Sequence, residues 1–449
     1  MTAPDLTSGD LWTIAVAVCC SVACGTIGCF LVLRRLSLLG DAISHAVLPG
    51  IAVAFMLTGS REPWAMLGGA LAIGLLTAGL ATGVRRLGRL PEDAALGVVF
   101  TSLFALGVLL ITWVAPSIDL DPGCVLYGLL EFVPLDMVTL IGADAADSAR
   151  IAPGQFAATP TLEVPRALLW QAGLMLGNLT LITVIFKELR IASFDAALAT
   201  TMGLSAAVVH GLMLTSVAAT TVISFEAVGS ILVVAMLVAP GATAQLLTDR
   251  LGRMVMLSGV LGASAAIIGY LLAVWLDASA SGMISVVAGS QFAVAAVAAP
   301  RYGVVGKLIR NARLSQRIAR EDVLGLLYRV HESGDSRPAS LPHAQVLRAV
   351  APGFRSRLAC WQLRAAGLIQ GMSGDELSLT PKGVEQAAQV IRAHRLWETF
   401  LSRNLPLPLD HLHEPSERLE HFLTPEIQAK IAAEVGDRSD PHGKQIPSP

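Results

Sequence analysis

Lysine is nearly missing from the first 300 of the 449 residues, where Lys187 stands alone. Charged residues make up only 15% of the chain against 54% hydrophobic ones, with a mean hydropathy of +0.63. A soluble domain of this size carries more charge, so the long apolar part is not one. Beyond position 300 the sequence turns charged and mixed. The chain therefore divides into a membrane part over 1–300 and a water-soluble part over 301–449.

Other absences narrow the function. No G-x-x-x-x-G-K-[ST] pattern occurs, so the chain does not bind ATP through that loop. No basic residue stands in "MTAPDLTSGD" ahead of the first apolar run, which argues for a retained span over a cleaved signal peptide. Cys19, Cys20, Cys24 and Cys29 lie in that run without companions at metal-ligand spacing and read as small apolar packing residues. Cys124 and Cys360 are isolated. A net charge of −2 points to no nucleic-acid or acidic partner.

Apolar stretches of about bilayer length recur near 11–33, 42–59, 63–84, 94–115, 167–186, 204–224, 227–247, 254–276 and 282–299. The run at 227–247 is short enough to be a partial crossing. Frequent Gly and Ala suit closely packed membrane helices. Basic clusters follow alternate stretches: Arg34 and Arg35, then Arg85, Arg86 and Arg89, then Lys187 and Arg190, then Arg250 and Arg253, then Arg301, Lys307 and Arg310. The positive-inside rule then predicts nine spans, with the N-terminus outside and the C-terminus in the cytoplasm. The acidic connection over 116–166 contains "CVLYGLLEFVPLDMVTLIG", amphipathic enough to lie on the membrane or dip into it.

After 300, a basic exit helix over 301–320 leads into a helix–turn–helix pattern and a short hairpin, "GLIQGMSGDELSLT". That is a winged-helix pattern over 321–383. A longer helix from Val384 to Asn404 opens a helical segment over 384–449. The fold expected is an all-α polytopic membrane protein of eight or nine spans, followed by a winged-helix-like α+β domain.

Two constellations carry chemistry. In "RRLSLLGDAISHAVLPG", Asp41 and His45 are four apart and share one helical face. An ionisable group in the hydrocarbon core costs on the order of 3 kcal/mol and normally marks a pathway. Carboxylate and imidazole together suit a borderline divalent ion such as Mn, Fe or Zn. Spacing alone leaves open a helix-start aspartate beside a satisfied histidine. Counted from Arg35, Asp41 lies about 10 Å along a helix. In the soluble part, Glu417, Glu420 and His421 share another helical face, with His394 on a separate helix. That is good metal geometry, and equally the pattern of a solvated face. Glu226 sits at an outer boundary and reads as a wetted carboxylate or a pathway group.

The stretch "LSLLGDAISHAVLPGIAVAF" resembles the signature of the permease subunits of ATP-binding-cassette importers for manganese, zinc and iron. The resemblance continues through "PEDAALGVVFTSLFALGVLL", "FKELRIASFDAALATTMGL", "TVISFEAVGSILVVAMLVAPGATAQLLT" and "SVVAGSQFAVAAVAAPRYG". It implies that Asp41 and His45 line the ion path. It also implies that the segment with Lys187, Glu188, Phe194 and Asp195 docks into a separate cytoplasmic ATPase, and that the chain itself is no enzyme. An extracytoplasmic metal-binding protein and a second permease subunit, identical or paralogous, complete the implied partners, in a bacterial plasma membrane. At Glu226 that family commonly has a different polar residue.

Residues 321–446 resemble metal-dependent repressors of the diphtheria-toxin-repressor and manganese-repressor type, through "LTPKG", "AHRLWETFL", "SERLEHFLT" and "DPHGKQIPSP". The resemblance implies that Asp322, His394, Glu417, Glu420 and His421 are metal ligands, with Gly325 in place of a sixth, acidic one. Arg355, Arg357 and Arg364 remain on the DNA-reading helix, but a domain tied to a membrane is badly placed to search a chromosome. The function expected is metal uptake by alternating access, with a metal-sensing regulatory domain. A membrane-tethered regulator and a gradient-driven carrier are the alternatives.

Overall fold

The computed structural model describes residues 7–59, 63–114, 128, 130–141, 162–333, 340–350, 353–372, 375–405, 423–436 and 438–448. The chain forms two compact units, Met1–Gly306 and Lys307–Pro449.

The first unit is built around α1 (Ser8–Leu33). Thr7 and Asp10 close a reciprocal cap at its start, and Val16, Cys20, Ile27 and Phe30 are fully buried. Then follow α2 (Leu39–Ala46), α3 (Leu48–Thr58), α4 (Pro63–Gly88) and α5 (Glu92–Val114). After a 3-10 turn at Leu130–Leu135, strands β1 (Met137–Ile141) and β2 (Leu162–Pro165) pair antiparallel. Next come α6 (Arg166–Val184), α7 (Phe186–Phe194), α8 (Ala196–Thr201), α9 (Ala206–Leu247), α10 (Leu251–Leu276) and α11 (Ala280–Ala298).

Eight stretches among the described residues are long and apolar enough to cross a membrane, and one of them is α9 with 42 residues. As a straight helix, α9 would be about 63 Å long, twice the hydrocarbon thickness. It is not straight. Gly229 has φ 80° and ψ 167°, outside helical geometry. A Cβ on Gly40 would lie within 4 Å of both Thr221 and Leu237. In a continuous helix those two residues would stand about 24 Å apart. Thus α9 is a helical hairpin with arms 206–228 and 230–247, and counting the arms separately turns eight crossing helices into nine. The reversal falls at Gly229, beyond Phe225 and Glu226, because only glycine takes that conformation without a Cβ penalty.

Helix direction alternates from there, so the basic clusters gather at one end. There Arg34 Nε donates to Ser193 Oγ at 3.3 Å, and Arg301 pairs with Asp249. At the opposite end Tyr270 donates to Asp10 at 2.5 Å, and Glu131 accepts from the Ala280 N–H at 3.2 Å.

The connection expected to be amphipathic forms a 3-10 turn and a strand where it is described. Pro134 ends regular helix in the 3-10 turn, which buries Leu130 and Val133. The β-branched run "MVTLI" is a strand. Cys124 and most of 116–166 lie outside the described residues.

Helix α12 (Val304–Ser333) carries the chain from the first unit into the second, where its later turns bury Val323, Leu324 and Leu327. Strand β3 (Leu341–Pro342), α13 (His343–Val350), α14 (Phe354–Ala365), β4 (Ile369–Met372) and β5 (Glu376–Leu379) form the winged-helix part, with strand order β3-β5-β4. Val346, Cys360, Leu363, Ile369 and Leu377 close its core. Helix α15 (Pro381–Asn404) starts three residues before the expected Val384, because Thr380 accepts from the Gly383 N–H and Pro381 suits the first helical position. Helix α16 (Pro425–Val435) packs on it through Ile431 and Val435.

Candidate functional site

Helix α2 is shaped by its glycine and its small residues. A Cβ on Gly40 would meet Leu237 Cδ1 at 2.5 Å, so α2 lies close against α9 with the flexible end of that leucine at the contact. Ile43 points the other way from the polar pair, toward Gly74 of α4, and is fully buried. The helical hydrogen bonding is interrupted at Val47, and Pro49, which has no N–H to donate, sits in the first turn of α3. Pro49 packs on Gly107 of α5, and Gly50 on Gly69 of α4. The glycine and proline positions of "GDAISHAVLPG" thus serve close packing, which leaves Asp41 and His45 on the remaining face.

His45 Nε2 lies 3.3 Å from Asp41 Oδ1, and the side chains are 39% and 38% exposed within this chain. Ser44 Oγ donates to the Asp41 carbonyl at 2.8 Å and so is used within the helix. The imidazole sits 6.2 Å from the Phe100 ring and 6.0 Å, edge on, from Phe104. Gly28 and Gly40 both pack on Leu237, so Asp41 is level with residues about a turn and a half from the end of α1. His45 is one turn deeper, level with the middle of α5. The pair therefore runs from the third of the helical layer nearest the basic end toward its middle, an oxygen and a nitrogen donor on one partly exposed face.

At the basic end, α7 buries Leu189 and Ala192. Lys187 and Phe194 are exposed, while Glu188 is half-buried. Asp195 caps α8, accepting from the Leu198 N–H at 2.9 Å. Arg34 ties this segment to the bundle. Besides Ser193, its Nη1 lies 2.8 Å from His210 Nδ1 on the first arm of α9. At the other end, Glu226 lines a cleft of about 420 Å³ with Asp136, Arg166, Trp64 and Trp170.

In the second unit, His394 Nε2 lies 3.2 Å from Glu398 Oε1, with both side chains buried. The sequence reading named His394 and passed over Glu398. The signal was present: i, i+4 is also the spacing of Asp41 and His45. Asp322 lies on α12 one turn before Gly325, which faces Ile391 of α15, and Ile391 stands one turn before His394. Among the described residues no three His, Cys, Asp or Glu side chains converge on one point. Glu417, Glu420 and His421 lie outside the described residues. Next to the pair, Arg395 makes a two-pronged ion pair with Glu332 and lies 3.5 Å from Asp440. Those hydrogen bonds hold the Glu332 carboxyl below its usual range.

A family model described as the ABC 3 transport family matches residues 11–145 and 161–299, most of the membrane unit. The chain belongs to this family. A second model, the metal binding and dimerisation domain of iron dependent repressors, matches 380–448. The manganese transport system membrane protein MntD of Bacillus subtilis is 41% identical over 312 residues, 70% of this chain and 99% of that one. The zinc transport system membrane protein TroD of Treponema pallidum is 34% identical over 378 residues, 83% of this chain and 96% of its own. An alignment that long reaches past the membrane unit. Among solved structures, PsaBC from Streptococcus pneumoniae in complex with Fab superposes with a TM-score of 0.52 at 31% identity, covering 66% of this chain and 94% of that one. This ABC 3 chain is thus a multi-pass membrane protein of permease fold with a repressor-like C-terminal domain.

Proposed function

We propose that this chain is the membrane-spanning subunit of an ATP-binding-cassette importer that takes up a divalent transition-metal ion by alternating access. The observation that carries the reading is the Asp41–His45 pair, 3.3 Å apart and partly exposed on a close-packed helix of the ABC 3 unit. Relatives named for manganese and for zinc support the ion class. Carboxylate and imidazole hold such an ion, and two protein donors leave it free to move on, as transport requires. Water or a second permease subunit supplies the remaining coordination.

ATP is hydrolysed on a separate subunit, which docks on α7 and α8 through Lys187, Glu188, Phe194 and Asp195. An extracytoplasmic binding protein delivers the ion at the end of the bundle that carries Glu226. The basic end, and with it the C-terminal unit, faces the cytoplasm, in keeping with the positive-inside rule.

The C-terminal unit senses the same class of ion. Buried His394 and Glu398 offer nitrogen and oxygen donors 3.2 Å apart, which fits a divalent metal. Asp322, Glu417, Glu420 and His421 are the further ligands in this reading.

The test is radiometal uptake by cells carrying the whole system, comparing wild type with Asp41→Asn and His45→Ala at matched membrane levels. Both variants lose uptake if the pair holds the ion; undiminished uptake of every metal by both overturns the site. Uptake that persists without the ATPase overturns the ATP-driven reading in favour of a gradient-driven carrier.

A further inference from the structure

The first turns of α12 belong to neither compact core. Val304, Val305, Leu308, Ile309 and Ala312 recur at i, i+1, i+4, i+5 and i+8, one continuous helical stripe, and all are exposed. Leu308 is 62% and Ile309 47% exposed. Lys307, Arg310, Arg313 and Arg317 occupy the opposite side, also exposed. No acidic residue occurs between Asp277 and Glu321 in the sequence, and Arg317 Nε donates to Glu321 at 2.8 Å. With a cation at nearly every turn the stretch cannot cross a bilayer, yet its apolar stripe is unsuited to bulk water.

We propose that residues 304–317 of α12 lie in the membrane–water interface and bind anionic phospholipid headgroups. Two observations select lipid as the occupant. The chain leaves the last crossing helix at Ala298 and begins α12 at Val304, so the start of this strip lies close to the bilayer surface. The arrangement of charge also matches: an apolar stripe sinks toward the acyl chains, while lysine and arginine stems reach back to phosphates. The later turns of the same helix supply Val323, Leu324 and Leu327 to the C-terminal core. Lipid composition thereby becomes an input to the repressor-like unit, independent of whether that unit binds metal.

A spin label at Leu308 (Leu308→Cys), in the full-length chain with its own cysteines replaced, tests this in lipid nanodiscs. With phosphatidylglycerol present, the label collides with dissolved oxygen more than with a water-soluble nickel complex; in phosphatidylcholine alone the order reverses. Lys307→Gln with Arg313→Gln lowers the docked-to-undocked ratio in the anionic discs by about fivefold per cation removed, and added salt does the same. Equal nickel access in both lipids overturns the proposal. So does a label shielded from both reagents in both lipids, which means that a protein or a second copy covers the stripe. Should the cysteine-free chain not fold, photoreactive phosphatidylglycerol on the wild-type chain gives the same answer: crosslinks over 304–317 are expected, and their absence overturns the idea.

Discussion

Gly28 and Leu237 touch backbone to backbone: a Cβ on Gly28 would sit within van der Waals overlap of the Leu237 carbonyl oxygen. This contact locks α1 against the second arm of the α9 hairpin, and the same leucine supports Gly40 at the start of the ion-site helix.

Gly28→Ala therefore forces two helices apart, with nothing flexible to yield. Overpacking of this kind costs about 1–3 kcal/mol. Gly211→Ala, on an exposed helical face with nothing within 4 Å, is the control and raises helix stability by about 0.5–1 kcal/mol. Thermal unfolding of the purified chain in detergent reads both; equal melting temperatures would contradict the close contact.

Asn178 bridges three helices. Its Nδ2 donates to Thr220 Oγ1 at 2.8 Å, its Oδ1 accepts from Ser216 Oγ at 2.8 Å, and the Ala23 carbonyl lies 3.4 Å from Nδ2. Asn178→Leu removes all three and strands the Ser216 hydroxyl. Each such bond within a membrane is worth about 0.6 kcal/mol, up to about 1.7. Equilibrium unfolding in mixed micelles should show a loss between one and two such bonds, with Ser216→Ala recovering part of it in the double variant.

Stability of the C-terminal unit depends on pH through Glu332. Its folded carboxyl titrates below the usual value because of the hydrogen bonds from Arg395. The stabilisation is therefore fully present above the unfolded pKa, about 4.3 for glutamate, and is lost as pH falls through the lower folded value. Glu332→Gln should unfold earlier than wild type at pH 7, and the gap should close below pH of about 4. A gap that stays constant with pH would mean the pair contributes through packing alone.

Metal feedback is tested by changing Glu420 and His421 together to Ala. Uptake by this variant should keep its rate in metal-starved cells and lose its dependence on intracellular metal. Unchanged regulation would remove the sensing role from the C-terminal unit.

Much of the architecture is written locally. The long apolar runs, the basic clusters between them and the turn residues of "LTPKG" each act over a few residues, so spans and the winged-helix order are legible without the fold. Asp41 and His45 were legible for the same reason, because i, i+4 spacing is a property of one helix. Glu398 had that spacing too, but in a charged amphipathic helix such pairs are common, and nothing in the residues tells a buried pair from a solvated one. At 130–141 the backbone form was not legible, because Pro134 and a β-branched run compete with its apolar periodicity and tertiary burial of Leu130 and Val133 decides it.

The sequence by itself determined that the chain crosses a membrane many times, carries a soluble winged-helix unit and places a carboxylate–imidazole pair on one helical face. These are matters of hydrophobic length and helical period. Only the tertiary structure decided that the chain reverses at Gly229, that Asp41 and His45 lie between the third of the bundle nearest the basic end and its middle, and that the His394–Glu398 pair is buried. Those depend on contacts between residues far apart in the chain, such as the backbone of Gly28 on that of Leu237 and Gly40 on the Leu237 side chain, which fix depth and direction.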